Sequence, residues 1–286
     1  MDVGTTGKIS LDHIYSQPDP RSYFGTLRPL EYQIPQLAKP HFAALAREYR
    51  ESRPVSQHTV LDTNVSDTTV LDIGCSYGIN AALARCDATM DELYERYAGP
   101  DAARRDRAAL LAHDREMVAA RDGGGVRFVG LDASGDALAY ALAAGFLDDA
   151  VHADLESADP TEEQRRRLAA DLVVSTGCLG YVTHRTIARV LEANAEAGRR
   201  PWMAHFVLRM FPFDPVEDLL DAAGYRTERS ELLFKQRRFA TGEEQALVLD
   251  TLSDLGVDPG GLETDGWFYA RLYLSRPRNR PERGTH

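Results

Sequence analysis

The chain has 286 residues, 43% hydrophobic and 27% charged, too apolar for a disordered chain and long enough to bury a sizeable core. Its formal charge of -11 gives no general attraction for nucleic-acid phosphates or anionic membranes, and no apolar run reaches the roughly 18 residues of a membrane span. Three cysteines (Cys75, Cys86, Cys178) and eight scattered histidines without an HExxH pattern supply neither a disulfide framework nor a zinc set, so no metal is expected. The opening residues lack the pattern of a secretory signal, which makes the cytoplasm the expected location.

Residues 1–65 read as an N-terminal helical or lid segment. Pro18, Pro20, Pro29, Pro35 and Pro40 interrupt it, which predicts short helices and turns laid over the main body, followed by a helix over HFAALAREYRES. A polar loop, VSQHTVLDTNVSD, leads to a first strand from Thr69 to Ile73 and the helix INAALARC. Thr89 and Glu92 have capping-box spacing for a helix over about 90–98, stopped by Gly99 and Pro100. The next segment, 102–121, places Ala103, Leu110, Leu111, Met117 and Val118 on one helical stripe and ends at Gly123 to Gly125.

VRFVGLDAS is a second long strand ending at Asp132, with Ser134 available to cap GDALAYALAAG. A short strand around DAVHADL, a charged helix PTEEQRRRLAA, a third apolar strand DLVVSTG, the helix HRTIARVLEANAEAG and the strand PWMAHFVLRM follow in turn. Alternation of this kind predicts a mostly parallel sheet covered on both faces. Asp214, Pro215 and Glu217 then read as cap, first-turn proline and third-position acid of another helix. RTERSELLFKQRRFA and GWFYARLYLSRP, on either side of the helix GEEQALVLDTLSDLG, predict two late strands paired antiparallel at one edge, and residues 278–286 a polar tail. No repeat and no separate second domain is evident.

In an open parallel sheet a ligand sits outside the carboxyl ends of the strands, above the first strand-to-helix turn. That turn is D-x-G-x-x-x-G here, from Asp72 through Gly74 to Gly78, and not the G-x-G-x-x-G of a dinucleotide site, since Ser76 and Tyr77 intervene. An NAD-dependent oxidoreductase is the alternative that this mismatch disfavours. Asp132 and Asp154 stand at or near the next two strand ends, where an acid can accept ribose hydroxyls or an adenine amino group.

VLDIGCSYG, FVGLDAS, AVHADLES and DLVVSTGCLGYV, in that order, resemble the successive cofactor motifs of class I S-adenosylmethionine-dependent methyltransferases, over about residues 66–277. The resemblance implies an α/β, Rossmann-like, doubly wound seven-stranded sheet, mostly parallel with an antiparallel last strand, plus N-terminal and inserted helical cap elements. It also implies S-adenosyl-L-methionine as cofactor. Asp72, Gly74, Cys75 and Gly78 would lie at its methionine and ribose, Asp132 and Ala133 at the ribose and adenosine. Asp154 and Leu155 would frame the adenine, and Ser175 and Thr176 would face the reacting methyl. Two departures stand out. Ser76 occupies a position where the family often has glycine, and Asp72 lies 60 positions before Asp132, where one strand-helix-strand step needs roughly 20 to 30. The surplus implies a helical insertion at about 88–122, serving as a lid or as a homo-oligomer contact.

CLGYVTHRT follows the last of these motifs where the family places substrate contacts, and it lacks the N/D-P-P-Y/F of amide and exocyclic-base methylation. Tyr181 could bond a nucleophile or pack an aromatic substrate, His184 has the pKa range of a general base, and Tyr23 is a third catalytic candidate. Tyr15, Tyr23, Phe24 and Tyr32 would wall an apolar or aromatic acceptor. Arg209 could meet an acidic substrate group or form an ion pair. With the resemblance, these residues point to a small-molecule methyltransferase of specialised metabolism, whose acceptor atom is oxygen, nitrogen or carbon, an indole carbon included. An RNA or protein methyltransferase is the alternative, favoured by a basic stripe using Arg104, Arg105 and Arg107.

Overall fold

A computed structural model describes residues 12–53, 68–121 and 125–278. The loop between the N-terminal segment and the first strand, Gly123 and Gly124, and all but the first residue of the polar tail lie outside the described residues, as do residues 1–11.

The sheet has seven strands: β1 (Thr68–Ile73), β2 (Val126–Asp132), β3 (Asp149–His152), β4 (Leu172–Thr176), β5 (Trp202–Leu208), β6 (Tyr225–Arg238) and β7 (Trp267–Pro277). Their order is β3-β2-β1-β4-β5-β7-β6, with β7 antiparallel to both its neighbours and all other pairs parallel. The sheet is Rossmann-like and doubly wound, with the strand order and inverted last strand of class I methyltransferases. The chain reverses direction across the sheet between β1 and β4, so the crevice above those two strands is where such a sheet places a ligand.

Alternation along the strands sorts side chains between two cores. Val70, Phe128, Val174, Ala204 and Phe206 face one layer, formed by α1 (Arg21–Leu27), α2 (Ile34–Ser52), α3 (Ile79–Arg85), α4 (Met90–Ala98), α5 (Arg107–Ala119) and α6 (Gly135–Ala144). Leu71, Ile73, Val129, Val173 and Val207 face the other, formed by α7 (Glu162–Leu168), α8 (His184–Glu196) and α9 (Asp214–Ala222). A third cluster joins α10 (Gly242–Asp254) to Leu208 and Phe268 at the β7 edge.

The N-terminal segment departs from expectation. One 19-residue helix, α2, runs from Ile34 and carries Pro35 in its first turn and Pro40 inside it. Pro35 loses nothing there, because first-turn N–H groups have no intrahelical partner. Pro40 leaves the Gln36 carbonyl without its helical donor, while the Gln36 side chain caps the insertion by accepting from Met90 N–H at 2.9 Å. In α9 the helix begins at Asp214 itself, with Phe213 in the cap position and no side-chain cap, one residue earlier than the proline pattern implied.

Between α3 and β2 lies the expected insertion. The Thr89–Glu92 capping box opens α4, whereas the second helix is shorter than predicted: a 3-10 turn at Ala102–Arg104, then α5. Ala103 is exposed and Ala102 buried, because the 3-10 turn shifts the register of the stripe, while Leu110 and Leu111 enter the core. Buried Asp114 fastens the insertion by accepting from Tyr97 Oη (2.9 Å), Tyr140 Oη (2.6 Å) and Arg96 (3.3 Å). The stripe is thus used within the chain, against α6 and the N-terminal segment. The arginines there are likewise engaged: Arg107 donates to the Pro18 carbonyl at 2.8 Å, Arg105 lies 2.6 Å from His113 Nδ1, and Arg104 pairs with Asp101.

Candidate functional site

The turn after β1 is built on left-handed residues. Gly74 has φ +66°, and a Cβ there would come within 2.7 Å of Cys178 Cβ; Gly78 has φ +73° and stands at the N-cap of α3. Ser76, where the family pattern favours glycine, also adopts a left-handed φ of +52°. Its N–H donates to Asp132 Oδ2 at 2.8 Å, while Ser134 N–H donates to Asp132 Oδ1 at 2.8 Å. Asp132 therefore ties the two strand-to-helix turns together, with lone pairs left on both oxygens for further donors. Burial holds its carboxyl above the usual range against the pull of those backbone N–H groups.

Asp72 is fully buried and accepts from Asn80 Nδ2 at 3.0 and 3.2 Å. The same amide lies 3.2 Å from Thr176 Oγ1, which joins the ends of β1 and β4. Burial pushes the Asp72 carboxyl up to about 7, against the Asn80 amide and with the help of the nearby Asp132 carboxylate. Asn80 Oδ1 is buried without a partner, so an acceptor oxygen and an underpaired carboxylate sit side by side. That pair is chemically suited to a group with several N–H donors and positive charge.

An aromatic cap lies over this floor. Tyr77 Oη sits between the carbonyls of Ile14 (3.0 Å) and Gln17 (2.9 Å), and Ser134 Oγ donates to the Tyr15 carbonyl at 2.5 Å, which brings residues 14–17 across the end of β2. Tyr23 meets the rings of Tyr15, Tyr32 and Tyr77 edge-on, with centroids 5.7, 6.3 and 6.0 Å apart. The Tyr32 hydroxyl lies against those of Tyr23 and Thr176. Burial raises the phenols of Tyr15, Tyr23 and Tyr32 far above their ordinary value.

The expected residues separate into groups. Asp72, Gly74, Gly78, Asp132 and Thr176 converge on the crevice with Tyr15 and Tyr23. Cys75 is buried beneath it, its Sγ against Gly130, and Ala133 is exposed with its carbonyl 3.0 Å from His152 Nε2. Asp154 is exposed, accepts from Glu156 N–H at 3.0 Å, and lies two residues beyond the end of β3. The Leu155 side chain belongs to the second core, and Ser175 points to that face too, 2.8 Å from buried His205 Nδ1. Burial lowers His205 to about 4.

Two of the substrate candidates have partners within the protein. Phe24 stacks on Tyr97 of the insertion (4.8 Å, 19° between planes) and packs edge-on to Tyr94, so it anchors α1 to α4. Arg209 takes its ion-pair role, donating to Glu263 at 2.5 Å and to the Asp258 carbonyl at 2.7 Å, because the loop after α10 folds back beneath it. Tyr181 is 42% exposed and meets Phe211 edge-on at 5.7 Å. His184 is the exposed first residue of α8 and lines a cavity of about 320 Å³ between α8 and α9, with Gly180, Phe211 and Phe213, on the side of the sheet opposite Asp72.

Two buried polar side chains escaped the sequence reading: Asn80, the second residue of α3, donates to Asp72, and Gln236 is brought by the path of β6 against Gly177, just after β4. Among the described residues no group of three His, Cys, Asp or Glu is placed to hold a metal ion, and no helix is long and apolar enough to cross a membrane.

The chain matches no protein-family model and no curated protein. Similar solved structures include a plantazolicin methyltransferase in complex with SAH, 12% identical, with 93% of each chain covered and a TM-score of 0.43. A magnesium protoporphyrin IX methyltransferase from Synechocystis PCC 6803 with bound SAM is 11% identical, covering 83% of this chain and 79% of that one at a TM-score of 0.36. A SAM-dependent methyltransferase from Geobacter sulfurreducens in complex with S-adenosyl-L-homocysteine is 14% identical, covering 74% and 85% at 0.35. Strand order and the inverted β7 define the class of fold, that of class I S-adenosylmethionine-dependent methyltransferases.

Proposed function

We propose that the chain transfers a methyl group from S-adenosylmethionine to a small aromatic or apolar acceptor, at oxygen, nitrogen or carbon, giving S-adenosylhomocysteine. The observation that carries this reading is the pairing of Asp72 and Asp132 at the ends of β1 and β2, the first fully buried and the second half-buried under the tyrosine cap, at the point where the strand order reverses.

The residues present fit the cofactor. The partnerless Asn80 Oδ1 and the underpaired Asp72 carboxylate suit its ammonium, and the spare lone pairs of Asp132 suit its ribose hydroxyls. Ala133 and Asp154 lie on the β2 and β3 side for the adenosine, and Thr176 on the β4 side for the methionine. When bound, the cofactor supplies an electrophilic methyl on a sulfonium, open to in-line displacement. The protein's share of the work is alignment and exclusion of water. Tyr15, Tyr23 and Tyr32, kept neutral by burial, orient the acceptor as hydrogen-bonding groups and apolar walls and do not serve as bases. Tyr181, beside Phe211, offers a further acceptor contact at the rim.

Calorimetric titration with S-adenosylmethionine, S-adenosylhomocysteine and NAD tests this reading. Micromolar binding of the two sulfur compounds, weakened at least tenfold by Asp132→Asn in a protein that still melts cooperatively, supports it. Binding of NAD with no heat from either sulfur compound sinks it.

A further inference from the structure

Near its carboxyl end β6 carries one residue more than β7 can pair. Lys235 lies opposite Tyr269 and Arg237 opposite Phe268, which leaves Gln236 without a cross-strand partner. Such a bulge bends the strand and re-aims a side chain. Phe234, two residues earlier, packs on Phe206 of β5 and on His41 (centroids 5.0 and 5.2 Å), so β6 curls over the face that carries Asp72 and Thr176. The Gln236 carbonyl leaves the ladder and accepts from Gln33 N–H at 2.9 Å, beside Tyr32. Its carboxamide rests on Gly177, the residue after Thr176: a Cβ there would come within 2.6 Å of Nε2 and 3.1 Å of Oε1.

Gln236 is 2% exposed, and its Oε1 has no hydrogen-bond partner. A buried acceptor without a donor carries a free-energy cost that a folded protein tolerates where a ligand removes it. Two groups are eligible near Gly177, the acceptor molecule and the cofactor's ammonium, and the ammonium already has Asp72 and Asn80 at the end of β1. Resting on the methyl-transfer reading above, we infer that Gln236 is a substrate-positioning residue: its Oε1 receives an O–H or N–H of an aromatic acceptor at the Gly177 wall. A carboxamide takes up no proton, so its part is orientation. The favoured substrate class is phenols and ring N–H compounds over hydrocarbons of the same shape.

The test uses the full chain saturated with S-adenosylhomocysteine, titrated by saturation-transfer NMR with 1-naphthol and with 1-methylnaphthalene, which match in shape and differ in the O–H. Indole and indene form a second pair. Wild-type protein is expected to bind the donor-bearing member of each pair about five- to tenfold more tightly. Gln236→Met should bind both members alike while melting normally and holding S-adenosylhomocysteine as wild type does, and Gln236→Glu, which keeps an acceptor oxygen, should restore the preference. Equal binding of a pair by wild type, no binding of any probe, or a preference that survives Gln236→Met overturns the inference. Weakened S-adenosylhomocysteine binding in Gln236→Met overturns it too, by giving Oε1 to the cofactor. Failure of wild type to bind S-adenosylhomocysteine removes the methyl-transfer reading instead, and the paired titration of the unloaded protein then decides for Gln236 alone.

Discussion

Ser76 donates its backbone N–H to the Asp132 carboxylate at 2.8 Å, and makes that bond from a left-handed conformation that serine adopts at a cost. Its buried Oγ finds no partner either. Ser76→Gly removes both penalties and keeps the N–H, against the extra entropy of an unfolded glycine. The expected net result is a gain of about 1 kcal/mol in denaturant unfolding. A loss of that size would mean that the serine hydroxyl is held by a group the turn supplies.

Asp72 makes the ligand-free protein sensitive to pH. Its folded-state pKa of about 7 lies above the ordinary aspartate value of 3.8, so between those values the folded state keeps a proton that the unfolded state has lost. The contribution of this group to stability is present below about pH 4 and is lost as pH rises through 7. Asp72→Asn mimics the protonated form, so it should melt higher than wild type above pH 7, with the difference shrinking toward pH 4. Thermal melts across that range decide it, and a variant that grows relatively weaker as pH rises would show an ionised Asp72 already well paired.

Arg237 and Glu244 form a buried pair, 1% and 0% exposed, bonded at 2.7 and 3.0 Å, with the guanidinium 4.5 Å from the Phe268 ring centre. Removing one charge strands the other in the third core. Glu244→Leu alone should cost about 3–5 kcal/mol, and adding Arg237→Met should recover most of it. Urea midpoints of the two single variants and the double variant give the coupling directly; additive losses would contradict the pairing.

Asp114 collects two phenols and Arg96 at the root of the insertion. Asp114→Ala should destabilise the protein by about 3–5 kcal/mol, whereas Tyr97→Phe, which leaves two of the three bonds, should cost about 1 kcal/mol. Hydrogen exchange should quicken first in Met90–Ala98 and Arg107–Ala119. Faster exchange confined to β1 or β4 would place the weak point elsewhere.

The alternating elements from Thr68 to Leu208 were legible because each apolar run is punctuated by a turn or a capping residue, and the acids at the ends of β1 and β2 lie within that regular part. Pro35 and Pro40 misled because local propensity counts against a helix that tertiary burial of Ile34, Ala38 and Leu45 stabilises. Phe24 reads as pocket wall in any cap rich in aromatics, since only the fold reveals that Tyr97 takes its face. Gln236 left no trace in the pattern because a one-residue bulge depends on the register of β7, which a single strand cannot report.

The cap is pinned from regions far apart in the chain. Tyr94 of the insertion donates to the Tyr32 carbonyl at 2.6 Å, and the end of β6 contributes Arg238 N–H to the Leu30 carbonyl at 2.7 Å, beside the Gln33–Gln236 bond. On the ribosome, where chains emerge amino end first, residues 12–33 therefore appear long before their last partner. The crevice is roofed only after β6 has left the exit tunnel. A nascent chain holds the floor at Asp72 and Asp132 well before it can shut water out, and the closed site belongs only to a chain that has grown more than a hundred residues past that floor, as far as Gln236 and Arg238.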